Sequence, residues 1–152
     1  MSTILGTYSG KDVNFSISGA LSGTIQGGGV TELGMAQLMV RMGVTQSVLQ
    51  VAMDGAVVPS VVPGDQGEIE IQVWQTSTLQ QALTAWHNQA TAARDAGNVT
   101  NWFGQTVIIQ SILDGSSHVA TGVALQKFPD KTYAEQAGRV TWVLTCCNIA
   151  NQ

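Results

Sequence analysis

The sequence predicts an α+β fold, a mostly antiparallel β-sandwich or open barrel with one flanking α-helix. Three observations predict it. Segments with an apolar residue at every second position recur on both sides of residues 77–97. Within 77–97 the apolar residues follow helical spacing behind a capping signal. Groups of Gly, Asp and Pro separate the alternating segments and turn the chain between them. Strands, one helix, then more strands give antiparallel pairing, not the strict alternation of a parallel sheet. The 152 residues are read as one domain, 1–152, with length enough for a single core.

The first element is Asp12 to Ser18, where Val13, Phe15 and Ile17 alternate with Asp12, Asn14, Ser16 and Ser18. Period two makes it a half-buried strand. Gly19 to Gly29 holds five glycines and is read as a loop, because glycine permits bends and costs order. Met35 to Thr45 fits both periods: Met35, Leu38, Met39 and Met42 at helical spacing, Ala36, Leu38, Val40, Met42 and Val44 at strand spacing. A strand from near Leu33 to near Arg41 is the reading taken. Ser47 to Met53 puts Leu49, Val51 and Met53 on one face, and Asp54-Gly55 supplies a hairpin turn with positive φ at both residues. Val57, Val58, Val61 and Val62 continue it, while Pro59 and Pro63 remove ladder donors and mark an edge or an extended loop.

Glu68 to Val73 is the cleanest strand, with Ile69, Ile71 and Val73 on one face and Glu68, Glu70 and Gln72 on the other. Ser77-Thr78-Leu79-Gln80 reads as a capping box in which hydroxyl and amide satisfy each other's backbone donors. Leu79, Leu83, Trp86 and Ala90 then form the apolar stripe of a helix that Gly97 stops. Three strands follow. Thr106 to Leu113 carries Val107, Ile109 and Leu113 on one face, and Asp114 to Ser117 is a turn. Val119 to Lys127 carries Val119, Val123 and Leu125. Arg139 to Ile149 carries Val140, Trp142 and Leu144, with Thr141, Val143 and Thr145 opposite. Lys127 to Lys131 is a connection that ends regular pairing.

Charged residues make up 11 % of the chain, against a usual share of about 25 %. Sparse charge points to a surface that meets protein more than water. The net charge is −4, and no two of the six basic residues are adjacent. Nothing in the sequence supplies the clustered basic surface that phosphate binding needs. The start, Met1 to Gly6, has no basic n-region or apolar stretch, so no signal peptide is expected. No apolar run approaches the ~18 residues of a membrane span, and no membrane insertion is expected. Asn14-Phe15-Ser16 and Asn98-Val99-Thr100 match the glycosylation pattern by chance, given a cytosolic start.

Few residues offer chemistry. Glu68 and Glu70 share one strand face at a spacing of about 7 Å. A glycosidase pair comes from different elements around a sugar cleft, so a solvated or channel-facing stripe is the better reading. His87 has no second His or carboxylate four residues away, and His118 follows a turn. Cys146 and Cys147 are neighbours on a strand and point to opposite faces, which rules against a mutual disulfide. They lack partners at metal-ligand spacing. One thiol belongs in the core and the other at a surface or interface, where a disulfide to another subunit is the sharper alternative. No G-x-S-x-G, H-E-x-x-H or phosphate loop is present. The expectation is no enzyme, no metal and no cofactor.

The order of the motifs carries a resemblance. Gly27 to Gly34, a strand, Asp54-Gly55 and the alternating strand Glu68 to Val73 run into the helix capped at Ser77. Asp114-Gly115-Ser116, Gly122 to Pro129 and Val140-Thr141-Trp142 complete it. Over nearly the whole chain this resembles the tail tube proteins of contractile-tailed, myovirus-type bacteriophages. The resemblance implies hexameric rings stacked in a tube, each subunit lending four strands to a barrel around a channel, with the helix on the outer side. It implies as partners further copies of the chain, the tail sheath, tape-measure, baseplate and tail-terminator proteins, and DNA that passes without specific binding. It implies a place in the virion tail after assembly in the host cytoplasm. Glu68, Glu70 and Gln72 are the candidate channel lining, an acidic stripe that repels phosphate. A tube subunit of a type VI secretion or other contractile injection system shares these features. A small ligand-binding β-barrel or hydrolase is the alternative of a different class.

Overall fold

The computed structural model describes residues 13–19, 21, 23–29, 35–112, 115–136 and 138–152. The elements run β1 (Val13–Gly19), β2 (Gly23–Gly29), β3 (Met35–Met42), β4 (Ser47–Val51), β5 (Val57–Val61), β6 (Gly67–Trp74), α1 (Thr78–Asp95), β7 (Gln105–Ser111), β8 (Ser117–Leu125) and β9 (Arg139–Asn151). Seven strands form one sheet in the order β2-β1-β7-β8-β9-β6-β3, and every pairing is antiparallel. The sheet curls into a half-barrel. β4 and β5 form a separate two-stranded sheet.

One face of the curled sheet is the core. Phe15 and Ile17 on β1, Ile69, Ile71 and Val73 on β6, Val107 and Ile109 on β7, and Val140, Trp142 and Leu144 on β9 are all buried there. Leu79, Leu83, Trp86 and Ala90 of α1 close the same cluster. Each fully buried Leu, Ile or Val contributes about 1.5–3 kcal/mol, so the alternation on β6 and the stripe on α1 settle which face turns inward. The α+β reading and the placement of the helix follow from these two patterns.

The helix is capped at both ends. The Ser77 Oγ accepts from the Gln80 N–H at 3.1 Å. The other half of the expected box does not form. The Gln80 side chain turns inward instead, and its Oε1 accepts from Trp142 Nε1 at 2.7 Å. A buried indole N–H left unpaired costs about 1–3 kcal/mol, more than one exposed cap bond returns. At the other end Gly97 takes φ +84°. Its N–H donates to Arg94 and that of Asn98 to Ala93, which is the Schellman arrangement.

Three further sequence expectations change. Residues 23–29 are a strand, not loop: β2 pairs with β1, with Gly19 opposite Gly23. Glycine keeps both backbone hydrogen-bonding groups, and pairing satisfies them where no side-chain period shows it. In the β4–β5 hairpin only Gly55 has positive φ. The Gly55 N–H donates to Ala52 and the Ala52 N–H to Ala56, so the turn is a type I turn with a glycine bulge. Val119 does not share a face with Val123 and Leu125, because a bulge at Gly122 shifts the register of β7 and β8 and brings Ala120 to the core. Pro59 lies on β5, an edge strand of the small sheet, which is the edge reading of its missing donor. Asp12, Leu33, Leu113 and Asp114 lie outside the described residues.

Candidate functional site

The second face of the sheet is built by the same alternation that builds the core. On β6, Ile69, Ile71 and Val73 are fully buried, so Glu68, Glu70 and Gln72 project from the opposite face, away from α1. β3 and β9 flank β6 on either side. Arg41, Met39 and Gln37 stand opposite Glu68, Glu70 and Gln72 on one side, and Thr145, Val143 and Thr141 on the other. The acidic stripe is not bare. Arg41 reaches Glu68 Oε2 at 3.2 Å and Glu70 Oε2 at 3.1 Å with the same guanidinium nitrogen. All three side chains are partly exposed, so each pair adds at most about 1 kcal/mol. The effect on charge is larger than the effect on stability. At the end of the face Arg139 lies 4.9 Å over the Trp74 ring. The charged residues of β3, β6 and β9 are thus two arginines and two glutamates, and the remainder of this face is Gln, Thr, Met and Val, with Trp74 and Cys147 at its two ends.

Arg41 is the residue that sequence reading missed. The pairing cannot be counted out from the Asp54-Gly55 turn, because the glycine bulge there and the five residues 62–66 facing the four residues 43–46 both offset the register. Reading strands one at a time hides that pairing.

The second surface is the β4–β5 hairpin, an arm that stands off the main sheet. Leu49, Val51 and Val61 are 69 %, 73 % and 86 % exposed, and Met53, Val57 and Val58 are exposed with them. Only Asp54 carries charge between Ser47 and Val62. A two-stranded hairpin alone is marginal in water, and an apolar patch this continuous marks a contact surface. The outer edges of β2 and β3 are a third surface, since among the described residues each has a strand neighbour on one side only.

The two cysteines divide as their alternation requires. Cys146 is buried at 1 % exposure, and Cys147 is exposed; both are free thiols. Burial, then the neighbouring Cys147 and Glu68, push the Cys146 thiol from 9.0 up to about 11. His87 packs edge-on against Phe128 at 5.0 Å, and Phe128 against Trp142 at 5.5 Å. His118 Nδ1 lies 2.7 Å from Asn151 Oδ1. Among the described residues no group of three or more His, Cys, Asp or Glu is placed to hold a metal ion. No helix of the described residues is long and apolar enough to cross a membrane.

The comparisons with known proteins agree with this architecture. Among solved structures, the chain is similar to the sheath/tube terminator of the extracellular contractile injection system PVC in its extended state. The TM-score is 0.57 at 6 % identity, covering 99 % of each chain. It is similar to a chain of the PVC sheath-tube complex in the extended state, with TM-score 0.53 and 7 % identity over 98 % of this chain and 93 % of that one. It is also similar to the tube-terminating cap of the anti-feeding prophage, with TM-score 0.50 and 7 % identity over 99 % and 95 %. These likenesses show a shared fold. No curated protein sequence matches the chain. The family model of the bacteriophage PhiTE tail tube protein matches residues 5–152. The chain belongs to the bacteriophage PhiTE tail tube protein family and is a structural subunit of the phage tail tube.

Proposed function

We propose that six copies close into a ring, that rings stack into a hollow tube, and that DNA passes through the bore during infection. The observation that carries this reading is the two-faced sheet. One face is sealed by α1, the other is polar and partly exposed, and among the described residues the edges β2 and β3 are open. Open edges favour pairing with another chain, and closure into a barrel removes them. In such a ring Glu68, Glu70 and Gln72 line the channel, with Arg41 among them. The bore is then lined by compensated charge and neutral amides and hydroxyls. Phosphates meet no cluster of cations to hold them, and the net charge of −4 adds weak repulsion.

The apolar arm reaches a second copy of the chain, and the helix side meets a sheath. Tape-measure, baseplate and terminator proteins complete the partners, and assembly takes place in the host cytoplasm. Any disulfide between subunits forms at Cys147, the exposed thiol. The whole chain, 1–152, acts as one tube domain without enzymatic activity. The phage tube is preferred over an injection-system tube because the family model spans residues 5–152, whereas the injection-system likeness rests on 6–7 % identity. Negative-stain microscopy of the purified chain tests the reading: rings or tubes are expected. A species that stays at 16.0 kDa in sedimentation at every concentration reached would contradict it.

A further inference from the structure

The arm is joined to the sheet through an uneven waist. Met42 of β3 pairs with Gly67 of β6, and Ser47 of β4 pairs with Val61 of β5. Between those pairs residues 43–46 face residues 62–66, so one side carries an extra residue. Regular pairing cannot pass through such a mismatch, and a bulge redirects the strands beyond it. Gly64, at φ +146°, takes the turn on the longer side. An arm on a loose waist would sample many directions, and each contact it makes would first have to order it.

This waist is held. The Gly43 N–H donates to Gln66 O at 2.8 Å, and the Val62 N–H donates to Gln46 O at 2.8 Å. The Gln46 side chain crosses the gap: Nε2 donates to Gly64 O at 3.0 Å and to Asp65 Oδ1 at 3.1 Å. Asp65 is anchored in turn, its carbonyl accepting from the Ile149 N–H of β9 at 2.8 Å. One side chain therefore links the outgoing side of the arm to a point fixed on the main sheet.

We infer that Gln46 is the positioning residue of the arm, a latch that sets its direction before it docks on a second copy of the chain. This inference rests on the reading that the arm contacts another copy. The latch contributes no contact area to that interface. It removes the ordering cost of docking, so its loss raises the concentration needed for assembly while leaving the subunit folded.

Two sets of full-length variants separate the latch from the reading beneath it. Leu49→Asp with Val61→Asp places charge on the arm itself and is expected to abolish tubes. Tubes formed as by the parent would overturn both the arm contact and the latch. Gln46→Ala removes two exposed hydrogen bonds and is expected to raise the critical concentration for tube growth about five- to tenfold. Gln46→Glu faces its carboxylate with those of Asp65 and the Gly64 carbonyl, and is expected to do more harm. Adding Asp65→Asn to Gln46→Glu restores a donor and part of the assembly. A purely structural role would show as a lowered melting midpoint. The latch predicts an unchanged midpoint for the unassembled subunit, with faster amide exchange confined to residues 47–61. If the arm variant fails to form tubes while both Gln46 variants assemble at the parent concentration, the latch is wrong and the arm contact stands. If their assembly falls only in step with global melting, the latch is likewise wrong.

Discussion

Cys146 lies on the core side of β9, and its Sγ donates to the Leu144 carbonyl at 3.7 Å. Burial is the main reason its pKa stands at about 11 against an ordinary 9.0, with Cys147 and Glu68 adding to the rise. The unfolded chain therefore releases this proton first. Stability is unchanged below 9.0 and falls as pH rises toward about 11, by up to about 3 kcal/mol for the full shift. Urea midpoints across that range are expected to drop for the parent and to drop less steeply for Cys146→Ala, whatever the variant's starting stability. Equal slopes would contradict the assignment. The alternation of a strand made the division between Cys146 and Cys147 legible in the sequence. The inward turn of Gln80 was not legible, because a capping box and a buried partner for Trp142 call on the same side chain. Only the packed structure shows that the indole wins.

Elements with a clean period were readable, and elements that break the period were not. β6 and α1 follow directly from Ile69, Ile71 and Val73 and from Leu79, Leu83, Trp86 and Ala90. β2 was missed because glycines carry no apolar signal, although their backbone pairs as well as any other. β8 was misread because Val119, Val123 and Leu125 are spaced as one face, while an extra residue at the bulge reverses the order between the first and the other two. Gly122 makes that bulge possible. It takes φ +64°, and a Cβ there would lie 2.7 Å from Cys147 Cβ. Gly122→Ala is expected to destabilise the chain by about 1–3 kcal/mol, for the backbone conformation and the crowding together. Chemical denaturation checks it, and a variant within the error of the parent would show that the bulge tolerates a side chain.

At the scale of the whole molecule, apolar surface is divided between a sealed core and an uncovered arm. Sequence pattern does not separate the two: Leu49 and Val51 alternate as Ile69 and Ile71 do, yet the first pair is exposed and the second buried. What distinguishes them is whether α1 lies across the strand, a fact of tertiary packing. The polar face was legible through Glu68, Glu70 and Gln72. Its charge balance was not, because Arg41 arrives from a strand far away in the chain. Low overall charge, sheet edges open among the described residues and an uncovered apolar arm agree with one another and with the proposed ring of copies.

The most direct test is a cryo-electron microscopy reconstruction of the tube at side-chain resolution. The expected result is stacked six-fold rings with Arg41, Glu68, Glu70 and Gln72 facing the bore, α1 on the outer wall, and residues 47–61 seated on another subunit. A tube with α1 turned to the bore, or with Glu68 and Glu70 buried between subunits, would contradict it.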